Sequence, residues 1–411
     1  MENVLDILRE RGFVQEVSEP DRLHELLGRQ PITLYWGYDA TADSLHAGSV
    51  LSLMMLSWFQ RCGHRPIMLA GGGTTLVGDP SGRISSRPML SEEAIEANLR
   101  GIRPQLERFV DFSDGRALAL NNLDWLKPLN FIEFMRDIGT RFSVNEILRM
   151  EAYRTRLEAG GMTFLELSYV LIQSYDFLHL YNHYDSVLQV GGSDQWGNSI
   201  MGADLIRRVK GGDAFVLVTP LVETSSGTKM GKSATGTVWL DADKTPPYEY
   251  YQWFRNIPDA DVERFLAIFT FLPMDEVRRM GRLDGAELNH AKETLAYEAT
   301  RILHGEEAAD RSREAARALF GGTPDASASV PTVTIERRQL EEGLPITELF
   351  KLAGLVSSAN EARSLIAQGG LSLNGEAVTD PRGRVGEEAL QNGGSIRLSR
   401  GRKRHMRVVV D

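Results

Sequence analysis

Two lysines stand three residues apart in the stretch SGTKMGKS, residues 226–233, which is rich in glycine and serine. Lysine is used sparingly here, at 8 of the 46 basic positions, so Lys229 and Lys232 sharing one loop calls for a chemical reason. Paired ammonium groups on a flexible loop suit the neutralisation of phosphate oxygens. The spacing is not that of a P-loop. Gly227 and Gly231 enclose three residues where that motif has four, and the ATGTVWLDADKTPP that follows is no helix. On these residues alone a solvated surface turn stands equally open.

Four further stretches carry groups able to do chemistry. In DSLHAGS (43–49) His46 falls where a helix would begin. Free N–H groups and the helix dipole attract anions there, and an imidazole can donate to a phosphate. Gly48 lets a flat base or a backbone approach. A capping or surface histidine is the plainer alternative. In GGGTTLVGDPSGR (71–83) Asp79 is an acid just past a strand end, placed to hold an ammonium group, although such glycines also make ordinary turns. Tyr169, Gln173 and Asp176 recur at i, i+4 and i+7, and so share one helix face. Leu165, Val170, Leu171, Ile172 and Phe177 make that helix largely apolar, so its polar line must be satisfied by protein or by ligand. In LQVGGSDQWGN (188–198) a strand runs through Gly192 and Asp194 into a helix. That arrangement can grip a ribose, or Ser193 or Asp194 can simply cap the helix.

The elements that must position these groups alternate. Strands are expected at 31–39, 65–73, 185–192 and 214–221, with helices at 46–63, 91–110 (Ser91 as N-cap) and 193–209. Such alternation predicts a parallel α/β sheet, whose ligands bind beyond the carboxyl ends of the strands. The ends GYDAT, GGGTT and GGSDQ are rich in glycine and small polar residues. Residues 247–320 read as successive helices and GGTPDASASVPTVTI as a linker. A small terminal unit follows, with two short helices and then strands LSLNG, GSIRLSR and HMRVVV.

At 411 residues the chain fits two or three domains, and its hydrophobic and charged fractions are those of a globular protein. Cys62 is the only cysteine, which excludes an intramolecular disulfide and a cysteine-based zinc site and suits a reducing cytosol. The opening MENVLDILRERGF lacks the apolar core of a signal peptide, and no apolar run reaches the ~20 residues that span a bilayer. A cytoplasmic protein with no membrane segment is expected. The net charge of −10 argues against a wholly basic nucleic-acid binder, but residues 346–411 carry +3 against −13 in the remainder. That asymmetry points to a nucleic-acid-binding end on a larger body.

Taken in order, the motifs resemble a known family. HAGS is similar to the H-I-G-H motif of class I aminoacyl-tRNA synthetases and KMGKS to their K-M-S-K-S loop. YWGYDATADSLHAGS, GGGTTLVGDPSGR, NNLDW, SYVLIQSYDF and QVGGSDQWGN together resemble the bacterial tyrosyl-tRNA synthetases, and the terminal unit resembles their S4 RNA-binding domain. The resemblance implies a Rossmann-like catalytic domain over 1–245, with a dimer-forming insertion at about 122–185. It further implies a helical tRNA-binding domain over 246–320, a linker over 321–343 and an S4-like domain over 344–411. It implies a homodimer that uses ATP, with accompanying Mg²⁺ and no protein-held metal, to activate L-tyrosine and load it on tRNA(Tyr).

By the same resemblance Thr41, His46, Lys229 and Lys232 are the catalytic phosphate ligands. Tyr35 and Asp176 bind the substrate phenol. Asp79, Tyr169 and Gln173 hold the ammonium group, with Asn122 and Gln195 nearby. Gly37, Asp39, Gly48, Ser49, Gly192, Asp194, Met230 and Ser233 complete the ATP site. Arg397, Arg400, Arg402, Lys403, Arg404 and Arg407 contact RNA phosphates. The chain departs from the family pattern at Ser49, where His or Asn is usual, at Gly231 in place of Ser, and at Trp36 where a small residue is common. Nucleotidylyltransferases share the H-x-G-H motif but lack the lysine loop. A tryptophan-specific synthetase is argued against by the Tyr35/Asp176 pair, and a non-catalytic RNA-binding protein by intact His46, Lys229 and Lys232.

Overall fold

The computed structural model describes residues 2–81, 90–225, 227, 230–233, 236–321, 332–391, 394–401 and 404–411, the side chains of 232–233 and 319–321 excepted. It divides into two compact units, Met1–Asp241 with Ala260–Arg282, and Ala242–Asp259 with Leu283–Asp411.

The first unit is built on six strands: β1 (Glu16–Val17), β2 (Thr33–Tyr38), β3 (Arg65–Ala70), β4 (Leu118–Asn121), β5 (Ser186–Gly192) and β6 (Phe215–Thr219). Their order across the sheet is β1-β6-β5-β2-β3-β4. The neighbours from β6 to β4 are parallel, and only β1 is antiparallel, on the edge beside β6. The central strands are short apolar runs covered on both faces, and β6 is buried at every position. The covering helices include α1 (Val50–Arg61), α2 (Gly72–Val77), α3 (Glu92–Leu106), α4 (Phe164–Tyr184) and α5 (Trp196–Lys210).

Local chemistry sets several boundaries. Ser91 caps α3 as expected, its side chain accepting from the Ala94 N–H. A capping box of Thr163 and Glu166 starts α4, and Asp185 ends it in the left-handed region at φ 55°, turning the chain into β5. The helix expected from residue 46 begins at Val50, because residues 47–49 form a tight 3₁₀ turn first. The edge strands β1 and β4 were not anticipated. They are two and four residues long, too short for an alternating pattern to register.

The residues 247–320 are helical as expected, but they divide. The helix Val262–Phe269 and its successor Met274–Gly281 group with the first unit. Buried Arg11 is one reason: its guanidinium donates to the carbonyls of Ala267, Thr270 and Leu272, satisfying the end of that helix. In the second unit Pro247–Arg255, Gly285–His304 and Glu306–Gly321 form a helical group. The terminal sheet runs Glu376–Ala377, Leu371–Leu373, Ser395–Arg400, Arg404–Val410, Thr332–Ile335.

That last strand corrects the expected linker over 321–343. Thr332–Ile335 pairs in parallel with the chain's final strand and is followed by a helix at Arg337–Glu341. Its TVTI sequence is β-branched and alternating, and Ile335 packs into the terminal core beside Leu340 and Val408. Among the described residues, no helix is long and apolar enough to cross a membrane.

Candidate active site

The sheet order places a switch point at β2. From β2 the chain winds outward through β3 to β4, then returns to lay β5 on the other side of β2. Beyond the carboxyl ends of β2 and β5 the helices diverge, and a cavity of about 630 Å³ opens there. It is lined by Tyr35, Gly37, Asp39, Thr41, His46, Gly48, Ser49, Asp79, Asn122, Tyr169, Gln173, Asp176, Gly192, Asp194, Gln195 and Met230. Thus residues from six separated motifs line one cavity. Of the expected catalytic and ligand-binding residues, Lys229 lies outside the described residues, and for Lys232 and Ser233 only the backbone is described.

The deep end is aromatic and acidic. Tyr35 is 1% exposed on β2, packed against Phe177, with no hydrogen-bond partner for its Oη among the described residues. Asp176 on α4 is buried, and both its oxygens are held. Asn122 Nδ2 donates to Oδ2 at 2.8 Å and Trp125 Nε1 to Oδ1 at 2.8 Å. Burial nevertheless pushes the Asp176 carboxyl up to about 7, against those two bonds. Burial, and then the charge of Asp176, hold the Tyr35 phenol well above its ordinary value. Asn122 is fixed in turn, accepting from the Gly73 N–H at 2.7 Å and donating to Thr74.

A second acid lines the cavity. Asp79 accepts from Gln195 Nε2 at 2.6 Å and from the Ser81 N–H at 2.9 Å. Burial raises its carboxyl to about 6, with the negative charge of Asp39 adding to the rise and the bonds from Ser81 and Gln195 opposing it. Gln195 also accepts from Gln173 Nε2 at 3.3 Å and Asn198 Nδ2 at 3.4 Å, so the amides around Asp79 form one network. Gln173 Oε1 is buried and unpartnered among the described residues. The Tyr169–Gln173–Asp176 line on α4 therefore faces the cavity and not solvent.

The shallow end is a cradle of small residues. His46 caps the 3₁₀ turn Ala47–Ser49, its Nδ1 accepting from the Gly48 N–H at 3.0 Å. That bond leaves the proton of the neutral ring on Nε2, a donor. The chain after the lysine loop is tied to this motif. His46 bridges to Trp239, the Ala47 N–H donates to the Val238 carbonyl, and the Leu240 N–H donates to that of Leu45. Gly231 sits at φ +84°, and a Cβ there would lie 2.9 Å from both the Gly48 N and His46 Nδ1. A residue larger than glycine at position 231 would clash in this arrangement. Trp36 stacks on Tyr38, and Tyr38 donates to Ser52, which donates to the Ser49 carbonyl, so two of the departures share one wall.

Sequence reasoning missed Trp125, Thr74, Gln189 and Trp239. Trp125 and Thr74 lie inside quoted motifs, but only the fold shows that they hold Asp176 and Asn122. Gln189 lines the cavity beside Tyr35 in the sheet register, with Oε1 buried and unpartnered among the described residues. Its signal was available, as one polar residue inside the apolar strand VLQV.

Comparison with known proteins agrees with this geometry. The family model described as tRNA synthetases class I (W and Y) matches residues 28–321, most of the chain. The chain belongs to that family. An S4 domain model matches residues 351–390. Tyrosine–tRNA ligases from Clostridium tetani and Clostridium beijerinckii are each 48% identical, over 100% of this chain and 99% and 100% of theirs. A C-terminally truncated mitochondrial tyrosyl-tRNA synthetase from Aspergillus nidulans superposes with a TM-score of 0.71 at 30% identity, covering 78% of this chain and 95% of that one. The chain is thus a class I synthetase in which the HAGS and GGSDQ motifs line the cavity at the sheet switch point, with an S4 domain appended.

In that domain Arg397 and Arg407 are cross-strand partners on neighbouring strands. Arg400 is engaged internally, donating to the Leu355 carbonyl and pairing with Glu361 at 2.9 Å. Arg404 donates to the Gly354 carbonyl, and burial lowers its pKa. Arg402 and Lys403 lie outside the described residues.

Proposed function

We propose that this synthetase is a tyrosine–tRNA ligase: it joins L-tyrosine to ATP as tyrosyl-adenylate, releasing pyrophosphate, and passes the tyrosyl group to the 3′ end of tRNA(Tyr). The buried pair Tyr35 and Asp176 carries the choice of amino acid. Asp176 retains acceptor capacity beyond the bonds from Asn122 and Trp125, and Tyr35, whose Oη has no partner among the described residues, lines the same cavity. A substrate phenol satisfies both, whereas phenylalanine leaves buried polar groups unpaired.

In the first step a carboxylate oxygen of tyrosine attacks the α-phosphorus of ATP, and the bond to pyrophosphate breaks. The nucleophile is already an anion, so no general base is needed. The barrier is one of charge and alignment. Asp79, Tyr169 and Gln173 hold the ammonium group, with Gln195 and Asn122 fixing Asp79 and Asp176. His46, as the Nε2–H donor, and Thr41 meet the phosphates from one side. Lys229 and Lys232 close from the other, beside Met230 and Ser233. Gly192 and Asp194 bind the ribose, Gly37, Gly48 and Ser49 leave room for the nucleoside, and Asp39 lies along the adenylate. Mg²⁺ accompanying the ATP would neutralise charge on its phosphates.

The S4 domain match and the basic terminal strands support tRNA binding. Arg397 and Arg407 face each other across two strands, a like-charge pair that is destabilising until an anion bridges it. Arg400, Arg402, Lys403 and Arg404, in the same stretch of sequence, add phosphate contacts. Phe131, Ile132, Val144, Phe164 and Leu165 leave large apolar surface exposed on the insertion, which supports a homodimer through that face. The proposed division is a catalytic domain to residue 245 that also takes in 260–282, a helical tRNA-binding region over the rest of 246–320, and the S4 domain together with its strand from Thr332, in a cytoplasmic enzyme. The test is amino-acid-dependent ATP–pyrophosphate exchange without tRNA. Exchange with tyrosine, and none with phenylalanine or tryptophan, is expected. Exchange with none of the three would refute adenylate chemistry and leave RNA binding as the chain's activity.

A further inference from the structure

The helix α4 carries a column of rings on the face next to Asp176. Tyr175, His179 and His183 recur every four residues, so they stand one above another. The His179 and His183 rings are stacked at 4.1 Å, with His183 Nδ1 donating to the His179 carbonyl at 2.8 Å. The Trp125 indole lies flat on the other side of His179, with centroids 4.3 Å apart and planes 10° apart. The same indole donates its N–H to Asp176 Oδ1. Trp125 therefore has two fixed points, an edge on the carboxylate and a face on the imidazole.

We propose that His179 is a positioning residue for amino-acid selection, acting through the plane of Trp125 on the Asp176 carboxylate. A single N–H bond leaves an indole free to pivot about that bond. The stacked imidazole removes the pivot. The carboxylate is then held at Oδ1 by an oriented indole and at Oδ2 by Asn122, which aims its remaining lone pairs into the cavity. Burial, with the neighbouring charge of His183, lowers the His179 pKa to about 4, so the ring that Trp125 meets at neutral pH is uncharged and flat. With His179 absent, the indole still donates to Asp176 but is less firmly oriented, and the acceptor shifts from the phenol.

This rests on Asp176 as the phenol partner, and its distinctive consequence is selective. Tyrosine loses a bond that phenylalanine never makes, so the two substrates must respond differently. The experiment measures kcat/KM for tyrosine and for phenylalanine in pyrophosphate exchange, together with KM for ATP, on the full-length protein and on H179A, H179Q and H179F. Misplacement of a binding group can lower rates up to about a hundredfold, and one intervening ring reduces this to about tenfold. H179A and H179Q should lower the tyrosine-to-phenylalanine ratio by about tenfold through KM for tyrosine, with KM for ATP unchanged. H179F keeps a flat ring and should restore the ratio to within about twofold. An unchanged ratio in H179A or H179Q, equal losses for both amino acids, or an H179F no better than H179A would each overturn the proposal. A wild-type protein inactive with tyrosine would instead overturn the function on which the proposal rests.

Discussion

Replacing Asp176 by asparagine separates what this acid does for selection from what it does to stability. The carboxyl is fully buried and moves from the usual 3.8 up to about 7 on folding. A group whose folded pKa is raised binds its proton more tightly in the native state. Its stabilising contribution is complete below the unfolded pKa and is lost as pH rises through the folded one. Each pH interval of one between those limits is ~1.4 kcal/mol. The native protein therefore gives up about 4 kcal/mol at this site in all as pH rises past ~7, and about 3 kcal/mol of that is lost between pH ~5 and pH ~8. Asp176→Asn does not titrate and does not pay this. It does set an NH₂ group against one of the two donors, Asn122 Nδ2 or Trp125 Nε1, at ~1–3 kcal/mol, but that loss is the same at every pH. The variant should gain on the wild type by about 3 kcal/mol from pH ~5 to pH ~8, while tyrosine-dependent exchange falls by more than about a hundredfold. Denaturant melts of the unliganded proteins at the two pH values read the difference, in which Asp79 and every other titration common to both proteins cancels. Parallel stability curves would mean that Asp176 is already ionised at low pH, and the account of a strained acid at the base of the cavity would be wrong.

Three more outcomes follow from the same geometry. For the wild type, kcat/KM for tyrosine should fall as pH drops through about 7 and again through about 6, as Asp176 and then Asp79 take up protons and lose the charge that, on the proposed assignment, strengthens their bonds to the phenol and the ammonium group; a profile flat from pH ~5.5 to pH ~8.5 would contradict this. Gly231→Ala places a Cβ against the Gly48 N and His46 Nδ1 at a positive φ, and should reduce kcat at least about tenfold while leaving KM for tyrosine unchanged; wild-type kcat would show that this docked arrangement is not the working one. Substituting both Arg397 and Arg407 by alanine should weaken tRNA binding and reduce the slope of log affinity against log salt by about 2, with pyrophosphate exchange unaffected; an unchanged slope would remove these two residues from the RNA surface.

The sequence by itself determined the chemistry-bearing residue types and the alternation that builds a parallel sheet. HAGS, GGSDQ and KMGKS are local signals, because a helix start or a phosphate-binding turn is made by consecutive residues whose backbone groups act together. The i, i+4, i+7 line of Tyr169, Gln173 and Asp176 was legible for a similar reason, since helix periodicity fixes which residues share a face. The mostly parallel sheet and the helical stretch after 246 were equally readable from period and propensity. What only the tertiary structure decided is which of those faces meet. The switch point exists because β5 returns to the far side of β2, a fact of strand order that no local pattern encodes. It turns Asp176 from a polar residue on a helix into a buried acid held by Trp125 and Asn122 from another segment, and burial, not identity, raises its pKa. The same holds for the edge strands and for Thr332–Ile335. Their pairing partners lie far away in the chain, and a strand of two to four residues owes its existence to the partner.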